Sequence, residues 1–214
     1  MKKNTLNIIL GGTFDPIHYG HLNISKILAK ELKSRKITLI PNKKSLNKIK
    51  PIASVKHRLK MIKLAIKNNK MFKLNYLEIK SNNTFYTIDT LKKIRKKIGY
   101  KKSLAFIIGE DNLIELYKWY KWKKILKISH LIVYKRKVMN KRNNIFFEKQ
   151  ITPYITNKKN MLTNYAFGLI FISNAPFINL SSTQIRKNIK EGRSCDKMIP
   201  KKVLNYINKK NIYF

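Results

Sequence analysis

The sequence predicts an α/β fold built on a mostly parallel sheet with helices on both faces. Short apolar runs alternate with longer segments of helical periodicity. Most of these runs are apolar throughout, which is typical of parallel strands covered on both sides. A chain of 214 residues is long enough for one well-buried domain and short for two. We therefore expect a single domain over 1–214, with a small C-terminal helical extension at about 181–214.

The elements follow one another in a strand–helix order. Strands are predicted at 6–10, 36–41, 72–79, 103–109, 130–135 and 167–172. Helices are predicted after His21, over 54–67 and 88–98, as two short segments before residue 130, from Ser182 to about Gly192, and from Pro200 onward. The segment 138–165 is polar and irregular and predicts no clear element. This order is typical of a Rossmann-like sheet, in which ligands bind at the carboxyl ends of the strands.

The net charge of +38 suggests nucleic acid as a partner. However, the lysines are spread over nearly the whole chain instead of being gathered on one tail, and Ile, Asn, Phe and Tyr are also frequent. We attribute this composition to drift in an AT-rich genome, with nonspecific binding to polyanions at low salt as a consequence. No specific nucleic-acid partner is expected.

Other features bear on where the protein works. No apolar run approaches the ~18 residues that span a bilayer, so no membrane association is expected. The run at 6–10 leads into a glycine-rich motif without a small-residue cleavage site, which favours a strand over a signal peptide. Cys195 is the single cysteine, so an internal disulfide is excluded and a reducing compartment is favoured. We expect a cytoplasmic location.

The segment GGTFDPIHYGHL lies between the first predicted strand and the first helix. Gly11 and Gly12 leave the backbone bare where a phosphate could approach. Gly20 removes side-chain bulk where a planar ring or ribose could lie against the backbone. His18 and His21, on either side of it, project to the same side of a helix start. Two imidazoles beside free backbone amides can donate hydrogen bonds to a polyphosphate. The pattern is neither GxGxxG nor a Walker motif, so it predicts a different kind of nucleotide site.

Two other interpretations of this segment are possible from the residues alone. The glycines could form a simple strand-end turn, with the histidines as half-buried polar fillers. The histidine pair could also bind zinc, but no third ligand of the right type is close in sequence and the only cysteine is remote. The whole string favours the phosphate site over both, and no metal ligand is predicted among the side chains.

The string GGTFDPIHYGH resembles the signature of the HxGH nucleotidyltransferase superfamily. Its members move a nucleotidyl group from ATP or CTP to a phosphate and release pyrophosphate. The resemblance therefore implies that this segment binds a nucleoside triphosphate, while it does not name the acceptor.

A second motif, NLSSTQIRKNI, begins another predicted helix. The hydroxyls of Ser181, Ser182 and Thr183 can cap the helix or bind a phosphate, and Arg186 shares their face. A plain N-cap with a solvated arginine is the alternative from the residues alone. The superfamily carries a similar SSTxIR segment late in the chain, and that resemblance favours the anion site.

The predicted ATP site combines both motifs with the end of the fourth predicted strand. Its residues are Gly11, Gly12, Thr13, Phe14, His18, Gly20, His21, Gly109, Ser181, Ser182, Thr183 and Arg186. Because no covalent nucleophile is evident, we expect direct in-line attack on the α-phosphorus of ATP, with His18, His21 and Arg186 as the catalytic residues. The expected cofactor is Mg²⁺, held mainly by phosphate oxygens and water.

Three middle segments, FYTIDTL, IIGEDNL and KWYKWKKIL, look like the nicotinate mononucleotide adenylyltransferase family. The closing VLNYINKKNIYF is similar to the family's terminal helix and tail, so the resemblance runs almost end to end. It implies ATP and nicotinate mononucleotide as substrates, and deamido-NAD and pyrophosphate as products.

The same resemblance implies roles for the acceptor-binding residues. Trp119 would stack on the nicotinate ring, and backbone amides around Thr87 and Ile88, together with that of Tyr120, would hold its carboxylate. Asp111 would contact the ribose. The residues alone equally allow Asp111 to be a helix cap and the aromatic side chains to be core packing.

The segment after the second strand departs from the family pattern. PNKKSLNKIKP lacks the family's proline-rich loop, and we expect Lys48 to supply its basic group. Phosphopantetheine adenylyltransferase is the nearest alternative, although that family is typically shorter and does not need the aromatic WYKW patch. A basic nucleic-acid-binding protein is a remote alternative. The oligomeric state is not predicted.

Overall fold

The computed structural model describes residues 5–43, 50–81, 85–135 and 145–214, without the side chains of 145–147. This part of the chain forms one sheet of seven strands. In chain order these are β1 (Asn7–Gly12), β2 (Ile37–Pro41), β3 (Phe72–Leu74), β4 (Leu104–Gly109), β5 (His130–Tyr134), β6 (Ile155–Thr156) and β7 (Ile170–Ile172).

The spatial order of the strands is β3-β2-β1-β4-β5-β7-β6, and all the pairings between them are parallel. The chain runs outward from β1 to β3 and then returns to place β4 on the other side of β1. This reversal creates a crevice at the carboxyl ends of β1 and β4, where ligands bind in open α/β sheets. The α/β fold class predicted from the sequence is confirmed.

Helices connect the strands and cover both faces of the sheet. The α-helices of the described part are α1 (Tyr19–Glu31), α2 (Val55–Ile66), α3 (Thr87–Ile98), α4 (Glu110–Ile114), α5 (Trp122–Leu126), α6 (Ile145–Ile151), α7 (Met161–Asn164), α8 (Ser182–Lys190) and α9 (Lys201–Lys209). No helix in these ranges is long and apolar enough to cross a membrane.

The core consists of two apolar clusters, one on each face of the sheet. Successive residues of β1 alternate between them: Ile8 and Leu10 belong to the first cluster and Ile9 to the second. Helices α1, α2, α8 and α9 contribute to the first cluster, and α3, α4 and α5 to the second. The continuous apolar runs recognised in the sequence are therefore strands that are buried on both sides.

Two regions differ from the sequence-based expectation. The strand predicted over 72–79 ends at Leu74, because the side chain of Asn75 accepts a hydrogen bond from the Leu77 amide (2.9 Å) and the chain turns. The segment 138–165, predicted to have no clear element, contains α6, α7 and the two-residue edge strand β6 in its described part. Such a short strand leaves no hydrophobic periodicity to detect.

The predicted C-terminal helical part contains α8 and α9. Both pack into the first cluster, through Ile185 and Ile189 from α8 and Val203 and Ile207 from α9. They share that cluster with β1 and α1, so they complete one face of the sheet. The single-domain boundary over 1–214 stays a prediction.

Candidate active site

A cavity of about 830 Å³ opens at the carboxyl ends of β1 and β4. Its size suits a nucleotide-sized ligand. Many predicted site residues line this cavity: Gly11, Gly12, Thr13, Phe14, His18, Gly20, His21, Thr87, Gly109, Trp119, Tyr120, Ser181, Ser182, Thr183 and Arg186. Segments far apart in sequence therefore meet at the carboxyl ends of β1 and β4, where the strand order predicts a ligand site.

The two histidines form a stacked pair at the start of α1. Their ring centroids lie 3.8 Å apart with an interplanar angle of 34°. His18 is the N-cap of the helix and only 4% exposed, and its backbone N–H donates to Nδ1 of His21 (3.4 Å). The edge of Phe14 packs against His21 at 5.0 Å between centroids. Both imidazoles are thus held beside a helix N-terminus, which favours bound anions.

Gly20 is required by the position of the His18 ring. A Cβ atom at Gly20 would lie 2.7 Å from two atoms of that ring and 3.1 Å from Cβ of Leu180. The sequence analysis interpreted this glycine as space for a ligand, whereas in the structure the space is filled by the imidazole. Gly11 is similar, since a Cβ there would lie 3.0 Å from the Phe106 ring.

The second motif is joined directly to the first. Ser182 donates its hydroxyl to the carbonyl of Pro16 (3.0 Å), and Arg186 donates from Nη1 to the carbonyl of Asp15 (2.8 Å). Ser181 is the N-cap of α8, accepting from the Gln184 amide at 3.2 Å. Helix α8 therefore caps itself through Ser181 and anchors the loop between β1 and α1 through Ser182 and Arg186. The anion site stays a prediction.

Asp15, to which the sequence analysis assigned no role, is a buried junction between distant segments. It is 4% exposed, and its carboxylate accepts from the amides of Ile52 (2.9 Å) and Ala53 (3.1 Å). Oδ1 also accepts from the hydroxyl of Tyr213 at 2.6 Å. Burial, followed by this hydrogen bond, raises the pKa of the Tyr213 hydroxyl above its usual value. No local pattern predicts these partners, which come from distant parts of the chain.

Arg58 is a second buried polar residue that sequence reasoning missed. Only 1% exposed, it donates from Nη1 to the carbonyls of Thr13 (2.7 Å) and Asn42 (2.9 Å) and so bridges the ends of β1 and β2. Burial lowers the pKa of its guanidinium, and the charge of Asp15 partly opposes that effect. No local pattern singles out Arg58, because this lysine-rich chain also carries exposed arginines such as Arg35 and Arg193.

The wall on the other side of the cavity is aromatic. Thr87 is the first residue of α3, where backbone amides point out of the helix end. The rings of Tyr86 and Tyr120 lie 4.5 Å apart between centroids. Trp119 lines the cavity while packing partly against the second core cluster, so its ring has one supported side. Tyr120 is 45% exposed.

Two of the predicted residues, Ile88 and Asp111, do not line the cavity in the part of the chain that the structure describes. The side chain of Ile88 is fully buried in the second core cluster, so only its backbone could serve a ligand. Asp111 lies on α4 and accepts from the side chain of Asn112 (3.3 Å), and it is Asn112 that lines the cavity. Lys48 lies outside the described residues, while the nearby Lys50 does line the cavity. The predicted roles of these residues are untested.

Glu78 and Thr90 form a further polar pair on the wall that the sequence analysis did not single out. The Thr90 hydroxyl donates to Oε1 of Glu78 at 2.6 Å. Burial raises the pKa of the Glu78 carboxyl, and the hydrogen bond from Thr90 opposes that shift.

Comparison with known proteins places the chain among nucleotidyltransferases. Residues 9–188 match the cytidylyltransferase-like family. A relative from Buchnera aphidicola subsp. Acyrthosiphon pisum (strain Tuc7), named a probable nicotinate-nucleotide adenylyltransferase, is 50% identical over 214 residues, covering 100% of this chain and 99% of the relative. The chain belongs to the nicotinate-nucleotide adenylyltransferase family. The family resemblance recognised in the sequence is thereby confirmed.

More distant relatives extend the same likeness. A protein of the same name from Wigglesworthia glossinidia brevipalpis is 41% identical over 215 residues and covers 100% of this chain and 99% of its own. The solved Plasmodium falciparum nicotinic acid mononucleotide adenylyltransferase complexed with NaAD has a TM-score of 0.73 at 21% identity, covering 98% of this chain and 97% of that one. At that identity the structural likeness supports the shared fold of the family.

Proposed function

We propose that the protein transfers the adenylyl group of ATP to the 5′-phosphate of nicotinate mononucleotide. The products are deamido-NAD (nicotinate adenine dinucleotide) and pyrophosphate, in a step of NAD biosynthesis. The observation that carries the proposal is that one cavity joins the stacked histidines and Arg186 to the aromatic wall at Trp119. The full-length relatives of the same family support the choice of reaction.

The reaction is a direct displacement at phosphorus. An oxygen of the acceptor phosphate attacks the α-phosphorus of ATP, a new P–O bond forms, and the bond from the α-phosphorus to the bridging oxygen breaks. Pyrophosphate leaves with that electron pair. The protein contributes position and charge stabilisation instead of a covalent nucleophile.

His18, His21 and Arg186 are proposed to stabilise the charge that develops on the α-phosphate and on the departing pyrophosphate. The histidines approach from the start of α1, and the Arg186 guanidinium is oriented by the carbonyl of Asp15 and the hydroxyl of Thr183 (3.3 Å). Donors fixed before reaction stabilise a transition state without reorganisation.

The hydroxyls of the second motif divide into two roles in this proposal. The Ser182 hydroxyl donates its hydrogen bond to the carbonyl of Pro16, so it anchors the loop. Ser181 and Thr183 accept hydrogen bonds from within α8 and retain their own protons for a phosphate oxygen. The glycines at the end of β1 let the nucleotide approach the backbone closely.

The acceptor is proposed to lie against the aromatic wall. Trp119 offers a ring face on which nicotinate can stack. The amides at the start of α3, at Thr87 and Ile88, suit the nicotinate carboxylate because a helix N-terminus carries partial positive charge. Tyr120 contributes its amide, Asp111 the ribose contact, and Lys48 a basic group near the acceptor.

Mg²⁺ is proposed to accompany ATP. Within the described ranges no group of three or more His, Cys, Asp or Glu side chains could hold a metal ion. The ion would therefore be held by phosphate oxygens and water, as Mg²⁺ commonly is. When bound, it neutralises charge on the triphosphate. We further propose the cytoplasm as the location, because a single buried cysteine fits a reducing compartment.

A pyrophosphate-release assay tests the function. ATP and Mg²⁺ are supplied with nicotinate mononucleotide, nicotinamide mononucleotide or phosphopantetheine in separate reactions, and the dinucleotide product is identified by mass. We expect the highest kcat/KM with nicotinate mononucleotide. Turnover with phosphopantetheine alone, or with no acceptor of the panel, would contradict the proposal.

A further inference from the structure

The segment after α9 turns back onto the nucleotide-binding loop. Ile212 and Tyr213 are each 7% exposed, whereas Phe214 is 67% exposed. The turn uses left-handed backbone at Asn211 (φ 46°) and Tyr213 (φ 76°), conformations that non-glycine residues seldom adopt. Such strain persists only where tertiary contacts hold it. At Tyr213 one such contact is the hydrogen bond to Asp15.

The Tyr213 hydroxyl donates to Oδ1 of Asp15 at 2.6 Å, a short bond to a buried carboxylate. The same Asp15 receives the amides of Ile52 and Ala53, and its carbonyl receives Arg186. One residue thus joins four partners from three distant segments: the residues before α2, helix α8 and the tail.

Asp15 lies three residues before His18, in the loop that α8 also holds through Ser182 and Pro16. Arg58 binds the carbonyl of Thr13 in the same loop. The loop between β1 and α1 is therefore held at several points, and the hydrogen bond from Tyr213 is one of those that fix Asp15.

We propose that Tyr213 is a positioning residue for adenylyl transfer: its hydroxyl fixes Asp15, and through Asp15 the placement of His18 and Arg186. Its catalytic effect rests on the proposed function. The hydroxyl does not reach the cavity wall, since Tyr213 is absent from the residues that line it. It acts through Asp15, which does line it.

The test compares Tyr213→Phe with Tyr206→Phe. Tyr206, on α9, also forms a hydrogen bond through its hydroxyl, to Nδ1 of His57 (2.9 Å), and Tyr206→Phe removes that bond without touching the nucleotide loop. We expect kcat to fall about tenfold or more in Tyr213→Phe, because small misplacements of catalytic groups are costly, and to stay within about twofold of wild type in Tyr206→Phe. Tm should fall somewhat more in Tyr213→Phe, because the lost hydrogen bond goes to a buried carboxylate, while both variants stay folded at the assay temperature.

A second measurement separates this proposal from the proposed function. Hydrogen–deuterium exchange of the Ile52 and Ala53 amides should accelerate in Tyr213→Phe and not in Tyr206→Phe, because only the first releases their acceptor, Asp15. If the wild-type protein releases no pyrophosphate with any acceptor, the proposed function is wrong. The exchange rates of the Ile52 and Ala53 amides still test whether Tyr213 fixes Asp15. Unchanged exchange, or an unchanged kcat in an active enzyme, overturns the positioning role.

Asp15→Asn serves if Tyr213→Phe does not fold. Asn keeps one oxygen for Tyr213 and Ala53 and sets an NH₂ group against the Ile52 amide, which should accelerate exchange of Ile52. Wild-type exchange together with wild-type kcat in Asp15→Asn would overturn the role of Asp15, through which Tyr213 is proposed to act.

Discussion

The two sides of the cavity are built differently. The phosphate side, formed by the β1–α1 loop and α8, is a network of buried polar contacts in which Asp15 and Arg58 are at most 4% exposed. The acceptor side, formed by the start of α3 and the residues around Trp119, consists mainly of ring faces, and Tyr120 is 45% exposed. Phosphoryl chemistry needs fixed donors, whereas recognition of a flat ring needs a supported surface.

The difference predicts separable kinetic effects. Changes on the phosphate side should lower kcat, because they displace groups that act in the transition state. Changes on the acceptor side should mainly raise KM for nicotinate mononucleotide, because they remove binding that is similar in ground and transition states.

His18→Ala should give the largest effect. Loss of a preorganised donor to the α-phosphate should lower kcat at least ~100-fold, and KM for nicotinate mononucleotide should change much less. Steady-state kinetics with both substrates varied measures this. His57→Ala is the matched control, since His57 bonds Tyr206 and does not line the cavity. Equal kcat for the two variants would remove His18 from the mechanism.

Gly20→Ala should lower kcat by up to ~100-fold through displacement of the His18 ring. The added methyl group would lie 2.7 Å from two atoms of that ring and 3.1 Å from Cβ of Leu180. The contact with the ring is the shorter one, so the imidazole must move. The fold should persist, so far-UV circular dichroism should match wild type. A near-normal kcat would show that the ring position is not critical.

Trp119→Ala should raise KM for nicotinate mononucleotide about tenfold, because stacking contributes on the order of 1 kcal/mol beyond area burial. KM for ATP should stay near wild type, in contrast to the changes above. Trp122→Ala is the control, because Trp122 packs against the same core cluster without lining the cavity. A fall in kcat with unchanged KM would place Trp119 functionally on the phosphate side.

Glu78→Gln should give the smallest effect, visible as a change in the pH dependence of Tm. The folded pKa of Glu78 is raised, chiefly by burial, so the folded state binds more protons than the unfolded state in the window above the usual carboxyl pKa. Its contribution to stability is therefore lost as pH rises through that window. The Tm of Glu78→Gln relative to wild type should rise with pH there, and a pH-independent difference would contradict the assignment.

Sequence patterns were sufficient where a signal is local. The alternation of Ile8, Ile9 and Leu10 between two faces is inherent in a strand, so a run of apolar residues predicts double-sided burial. The spacing of His18 and His21, and the string SSTQIR, could likewise be interpreted from the sequence, because each lies within one turn or two of a single helix start. Element ends were less predictable, as at Leu74, because a single side-chain hydrogen bond from the Asn75 turn decided where β3 stops.

The sequence by itself determined the fold class, the family and the segments that form the two sides of the cavity. Only the tertiary structure decided that Asp15 joins Tyr213, Arg186 and the amides before α2, and that Gly20 makes room for His18. The reason is physical: periodicity and motifs record interactions within a few residues, whereas buried polar groups find their partners wherever folding brings them. Such partners, far apart along the chain, leave no pattern in one sequence.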